Sequence, residues 1–315
     1  MILITGGMGF IGIRTARALA GRDDIVLGYN RSVRDEKELQ ALIGAKVETV
    51  RLDVTSPYSV ARAVAQFRPT SIVHLAVPAL GAMAPAEESL ANVHGLLNIL
   101  EAACSAGIGP VSLASSVSVY AGMTGGPFAE DRELPVNSPS ATSAMKKAEE
   151  VLALHHADRT GLDLRVLRIG ITYGPLYHTL ANQVSRLTHI AVRGGLRAGL
   201  APSWTPQQLL GGMDLIHVDD CASAIAAIHL AHATRHRVYN VGGGVAVSAD
   251  ALLAAVEAAV PGAALPDELR HTGIRENADG YMDIARAREE FGVVPQYDIA
   301  AGVRQYVDWL REHEL

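Results

Sequence analysis

Thr5-Gly6-Gly7-Met8-Gly9-Phe10-Ile11-Gly12 decides how this chain folds. The stretch follows a short apolar run, residues 2–5. It precedes residues with helical spacing, Ile13, Ala16 and Leu19, on one side. The glycines at 6, 9 and 12 form G-x-x-G-x-x-G. The first permits a tight turn, and the second lets backbone approach a pyrophosphate. The third lets the helix pack on the strand, so that its N-terminus faces the phosphates. Between a strand and a helix, this pattern predicts dinucleotide binding by Gly6, Gly9, Phe10, Ile11 and Gly12.

Working outward, the spacing predicts strands at 25–27, 47–52, 72–76, 111–114 and 164–169. Helices are predicted at 36–43, 59–67, 87–106 and 143–158. Short apolar strands alternating with helices imply an α/β fold, a Rossmann-type doubly wound parallel sheet. After about residue 170 the alternation breaks down, and Pro175, Pro202 and Pro206 mark loops. Further helices are predicted at 219–233, 249–260 and 303–314, with a strand at 238–241. The expected division is a dinucleotide-binding domain at 1–170 and a smaller, mostly substrate-binding lobe at 171–315. Segments such as 214–242 return to the first domain.

The 315 residues are 49% hydrophobic and 19% charged, which suits a large buried core and not disorder. Net charge is −6 without a long basic run, which argues against nucleic-acid binding. No run approaches the ~18 apolar residues of a membrane span. Met1 opens directly on a strand with no charged leader, so a cytoplasmic location is the default expectation. Cys104 and Cys221 lie in apolar helical segments and read as reduced thiols. His229, His232 and His236 have helical spacing, but no carboxylate completes a metal set. They read as a solvated helix end, and no metal is expected.

The second strand runs into Asn30-Arg31-Ser32. Here an NAD-selective site would offer an acidic residue to the ribose 2′-hydroxyl. Asn30 does not repel a 2′-phosphate, and Arg31 and Ser32 offer it partners, so NADP is favoured over NAD.

Many short motifs recur in one order. They include LDV at 52–54, HLA at 74–76, Asn92-Val93-His94-Gly95 and Ser115-Ser116-Val117-Ser118-Val119-Tyr120. Later come Tyr173-Gly174-Pro175, Asp214 to Asp220 and Val238 to Gly243. With the glycine loop, these make nearly the whole chain resemble the extended short-chain dehydrogenases/reductases, the nucleotide-sugar epimerases and dehydratases. The resemblance implies that Asp53, with Val54 beside it, bonds the adenine amino group. It implies that Leu75, Ala76 and Val77 border the cofactor. Ser116 matches a catalytic serine that bonds a substrate oxygen, with Ser118 nearby. Lys146 matches the lysine that bonds the nicotinamide ribose and lowers the pKa of a catalytic tyrosine. Lys147 is expected to point to solvent. The family's equivalent long helices pair across a two-fold axis, so a homodimer is expected.

The sequence departs from the family where protons move. Four residues before Lys146 the family has tyrosine, and this chain has Thr142. Tyrosine starts near a pKa of about 10, within reach of a neighbouring ammonium. An aliphatic alcohol is a far weaker acid, close to water itself. Losing one general acid/base costs ~10²–10⁴ in rate. Met213 stands where many members carry a diphosphate-gripping arginine, and with Ser118, Tyr177, His178 and Arg275 it is expected to contact substrate. Arg275 matches a second such arginine, and Arg186, Arg193 and Arg197 are further candidates. Tyr120, Tyr173, Tyr177 and His178 are candidates to supply the missing proton, of which Tyr177 and His178 have no counterpart reason to be there. The expectation is an NAD(P)-dependent oxidoreductase or epimerase acting on a sugar-like, nucleotide-linked small molecule by an atypical proton path. The alternatives are a catalytically silent dinucleotide-binding protein and an enzyme with net non-redox chemistry.

Overall fold

The strand before the glycine loop, β1 (Ile2–Thr5), is buried at all four positions and paired on both sides. A strand covered on both faces needs no polar alternation, so it reads as a continuous apolar run. The computed structural model describes residues 1–78, 83–194, 213–263, 265 and 280–313. The order continues with α1 (Phe10–Leu19), β2 (Ile25–Tyr29), α2 (Glu36–Ile43), β3 (Glu48–Arg51), α3 (Pro57–Phe67) and β4 (Ser71–His74). Then come α4 (Pro85–Ala106), β5 (Val111–Ser116), a 3₁₀ turn (Val117–Tyr120), α5 (Ala141–Thr160) and β6 (Leu164–Ile169). The second half contains β7 (Ile171–Tyr173), α6 (Gln183–Arg193), β8 (Met213–His217), α7 (Val218–Leu230) and β9 (Val238–Val241). It closes with β10 (Ala246–Val247), α8 (Ala249–Ala259), α9 (Ala285–Phe291) and α10 (Ile299–Glu312).

Seven strands form one parallel sheet in the order β3-β2-β1-β4-β5-β6-β9. Helices cover both faces. Leu39, Ile13, Leu19, Ile225 and Ala287 pack on one side. Val60, Ile99, Leu100, Ala153 and Ala157 pack on the other. This is the doubly wound α/β architecture that the sequence predicts. Capping residues fix several bounds. Asp35 caps α2 by accepting from Glu38 N, and Gly44 ends it at φ +82°. Ser140 and Ser143 form a reciprocal capping box that starts α5.

A second, three-stranded sheet has the order β10-β8-β7, with α6, α8 and α10 around its own apolar cluster. β8 belongs to this sheet, so the chain's return to the large sheet begins at α7 and not at 214. Cys221 and Ile225 of α7 pack in the cluster of α1, and β9 extends the large sheet beside β6.

Two expectations are corrected by packing. His229 is not solvated: it is 2% exposed, and its ring nitrogens bond Ser71 Oγ at 2.9 Å and Ser112 Oγ at 2.8 Å. The helix ends at Leu230, so His232 and His236 lie beyond it. Lys147 is half-buried and anchored, not free in solvent. Its ammonium donates to the carbonyls of Pro135 at 2.5 Å and Asn137 at 2.8 Å, clamping the segment before α5. Cys104 and Cys221 are both free thiols. Among the described residues, no helix is long and apolar enough to cross a membrane.

Candidate functional site

Strand order reverses between β1 and β4, and in open α/β sheets the ligand crevice lies above such a point. Here the two strand ends are knitted together. Thr5 Oγ1 bonds His74 Nδ1 at 2.6 Å and accepts from Ala76 N at 3.2 Å. Burial, then the Lys146 charge, pull the His74 pKa down to about 3, so the imidazole is neutral near pH 7. Gly6 turns at φ +67°, and a Cβ there would stand 3.0 Å from Ala76 Cα. A Cβ on Gly12 would strike the Gly6 carbonyl and come within 2.8 Å of Gly7 Cα. Only glycine allows this approach of helix to loop. Gly9 is the N-cap of α1, no side chain caps it, and no acidic residue lies in the first turn. The α1 N-terminus therefore offers bare amides and the positive end of the helix dipole. These features fit the diphosphate of a dinucleotide.

Asn30, Arg31 and Ser32 follow β2 and are exposed. Beyond them, Arg34 pairs with Glu38 and approaches His178 Nε2 at 3.5 Å. Asp53 Oδ1 accepts from Thr55 N at 3.0 Å and Thr55 Oγ1 at 2.7 Å. Asp53 is not the cap of α3, a part that Ser56 plays. Val54 is buried, with its carbonyl held by Asn98 Nδ2 at 2.9 Å. Leu75 and Ala76 are half-buried and Val77 is exposed.

The C-terminal end of β5 and the start of α5 carry the other group of residues. Ser116 Oγ accepts from Ser118 N at 3.1 Å, which leaves its own O–H free to donate elsewhere. Ser118 Oγ is buried and has no hydrogen-bond partner among the described residues. Thr142 is half-buried in the first turn of α5. Lys146, one turn on, is 6% exposed, and its Nζ donates to the Ala114 carbonyl at 2.9 Å and Glu149 Oε2 at 2.7 Å. Beneath them runs a closed polar network. Arg168 bonds Glu150 at 2.8 Å and Tyr120 OH at 2.8 Å, while Tyr120 OH donates to Asn240 Oδ1 at 2.8 Å.

Two of the proton-donor candidates are held in place, Tyr120 by this network and Tyr173 by packing in the second lobe. Tyr120 is locked, and burial pushes its pKa up. Tyr173 is fully buried, and a Cβ on Gly302 would overlap its hydroxyl. Burial raises its pKa well above the ordinary tyrosine value. Tyr177 meets Phe10 edge-on at 4.9 Å between ring centroids, and burial raises its pKa as well. His178 lies against Trp309 and Arg34. Tyr177 thus contacts the glycine loop, and His178 the segment after β2. Met213 is 8% exposed within the second lobe's apolar cluster, so it acts as core where a substrate contact was expected. Arg186 is tied to the Leu180 carbonyl at 2.6 Å, and Arg193 to the His313 carbonyl at 2.7 Å. Arg197 and Arg275 lie outside the described residues. Among the described residues, no cluster of three His, Cys, Asp or Glu side chains could hold a metal. Sequence reasoning missed Thr5, which ties the two strand ends together, and Glu149, the partner of Lys146. The i+3 spacing of Lys146 and Glu149 was the available signal for the latter.

With this geometry in place, the sequence finds its kin. Residues 2–242 match the sequence model of the NAD dependent epimerase/dehydratase family. The chain belongs to that family. A dTDP-glucose 4,6-dehydratase of Streptomyces griseus is 30% identical over 324 residues, spanning 99% of this chain and 94% of its own. A UDP-glucuronate 4-epimerase of Thermodesulfobacterium geofontis is 25% identical over 99% of this chain and 96% of its own. Among solved structures, the UDP-glucose 4-epimerase of Thermus thermophilus, in complex with NAD, superposes with a TM-score of 0.79. It is 26% identical and covers 98% of each chain. The family is one of enzymes, and the described residues of this member include a seven-stranded parallel sheet with helices on both faces.

Proposed function

We propose that this protein is an NAD(P)-dependent oxidoreductase or epimerase acting on a nucleotide-linked sugar, with a proton path that does not use a tyrosine at position 142. One arrangement carries the reading. The bare N-terminus of α1 and the Ser116–Lys146 group open onto the same C-terminal edge of the parallel sheet. Gly6, Gly9, Phe10, Ile11 and Gly12 would hold the diphosphate of the cofactor, and Asp53 would reach its adenine. When bound, the nicotinamide accepts or returns a hydride. Ser116 donates a hydrogen bond to the substrate oxygen whose charge changes. Thr142 stays a neutral alcohol and orients the substrate or a water. NADP is favoured over NAD because Asn30 brings no carboxylate to the 2′ position and Arg31 and Ser32 are exposed beside it. The nucleotide-linked sugar is supported by the names of the relatives.

A homodimer is part of the proposal. Leu90 is 56% exposed and Val151 68% exposed, on the two neighbouring helices α4 and α5. Exposed apolar residues grouped on paired helices favour a covered face. Native mass in solution tests it, and a monomer at micromolar concentration overturns it.

Fluorescence titration of NADPH and NADH against the native protein and Gly9→Asp tests cofactor binding. The carboxylate should abolish binding by standing at the phosphates. Equal behaviour of the two proteins overturns the reading. A panel of UDP- and dTDP-linked hexoses, followed by chromatography of the products, then tests turnover. Tight cofactor binding with no product from any of them favours the catalytically silent dinucleotide-binding protein.

A further inference from the structure

Glu149 is a buried carboxylate that neither cofactor binding nor the proposed chemistry uses. It is 6% exposed, on the face of α5 that also buries Ala153 and Ala157. A charge in such a place is costly unless it is paired. Its partner is Lys146, at 2.7 Å, and the same ammonium is fixed from the other side by the Ala114 carbonyl at 2.9 Å. The neighbouring Glu150 is committed elsewhere, to Arg168 at 2.8 Å and Ser115 at 2.5 Å. Two carboxylates thus serve two cations, and the Lys146–Glu149 pair is closed and neutral. Spacings of three and four residues put Thr142, Lys146 and Glu149 along one helix face.

We propose that Glu149 is a positioning residue of this site: it fixes Lys146 and weakens the ammonium's field at position 142. The site then works with neutral hydroxyls, Ser116 and Thr142, in place of an ionised phenol. The proposal rests on the proposed function only in counting position 142 as part of the site. An unpaired ammonium nearby lowers the pKa of an acid by roughly 1–3 units. An ammonium paired at 2.7 Å presents a dipole, whose effect falls faster with distance. A tyrosine at 142 would gain little from such a lysine. The presence of threonine and of Glu149 are then two halves of one arrangement. Among the described residues, His74 on β4 feels the Lys146 charge and is itself neutral, and Arg168 on β6 is bonded to Glu150.

The test installs a phenol at position 142 and reads its ionisation by the ultraviolet absorbance of tyrosinate. The chain has nine tyrosines of its own, so the native protein's titration is subtracted from that of Thr142→Tyr. The new phenol should titrate near the ordinary tyrosine value of about 10. In Thr142→Tyr/Glu149→Gln, where the carboxylate is replaced by an amide of the same shape, the midpoint should fall by about one unit or more. Adding Lys146→Met should raise it again. Equal midpoints with and without the Glu149→Gln change overturn the proposal. If the Glu149→Gln protein does not fold, Thr142→Tyr alone decides: an ordinary midpoint supports the proposal and one already lowered by about a unit overturns it. The titration needs neither cofactor nor substrate. NADPH binding measured on the same samples therefore reports separately on the proposed function.

Discussion

Above β1 and β4 the crevice is lined by backbone, whereas above β5 it is lined by side chains. At the first end the working parts are Gly6, Gly9 and Gly12 and the open amides of α1, held by Thr5 and His74. At the second they are Ser116, Ser118, Thr142, Lys146 and Glu149. A backbone site tolerates no added atom, because the approach itself is the function. A side-chain site can exchange one hydroxyl for another, or acquire a carboxylate, and keep its frame. The Arg168–Glu150–Tyr120–Asn240 network supplies that frame. On the proposed reading, this difference lets the chain keep the cofactor loop while its proton path differs.

Acid should act through three buried imidazoles, of which only His74 lies at the backbone-lined end. The folded-state pKa of His74 lies at about 3, and those of His217 and His229 at about 4, each lowered first by burial. All lie below the ordinary value of 6.5, so the unfolded chain binds more protons between these limits. Stability should therefore be full above about pH 6.5 and fall as pH drops towards 4. A one-unit difference in pKa between the folded and unfolded states is worth about 1.4 kcal/mol per group. Urea denaturation at a series of pH values checks this, and a flat profile over that window would contradict neutral burial of the three rings.

The next effect probes the other end. Glu149→Ala leaves a buried ammonium without its carboxylate and should cost about 3–5 kcal/mol, whereas Lys146→Met/Glu149→Leu should recover most of that loss. Denaturant midpoints of the single and double variants measure it. Equal losses would mean that the pair contributes packing and not charge compensation. Ser116→Ala should leave NADPH affinity unchanged and lower turnover of an accepted sugar nucleotide by roughly 10²–10³. A matching loss of cofactor affinity would erase the proposed separation of the two ends. The smallest effect is expected at the rim. Arg31→Asp should shift the NADPH-to-NADH affinity ratio by about tenfold towards NADH, equivalent to about 1.4 kcal/mol. An unchanged ratio would remove Arg31 from the 2′-phosphate.

Some of this was legible in the chain itself. The helix at 36–43 and the strands at 164–169 and 238–241 have the bounds that their apolar runs and caps suggest. The second lobe was harder. β7 has three residues, and β8 is buried throughout, so neither shows a period. α6 was missed although Asn182 caps it and Gly194 ends it, with Val184, Leu187 and Ile190 on its buried face. At the candidate site, spacing and resemblance single out the glycine loop, Asp53, Ser116 and Lys146 as candidates. They do not single out the partners of Lys146 and Lys147, because hydrogen bonds to the carbonyls of residues 114, 135 and 137 join parts of the chain that are distant in sequence.

The sequence by itself determined the strand–loop–helix that opens the fold, the alternation that makes the sheet parallel, and the absence of tyrosine at 142. These depend on local sterics and on residue identity, which a linear chain records. Only the tertiary structure decided which polar groups are paired. It buried His229 between two serines, made Met213 core, bonded Tyr120 to Asn240 and buried Tyr173, and closed Lys146 onto Glu149. Pairing depends on what stands within about 3 Å once the chain is folded, and that distance is set by packing between segments far apart in sequence.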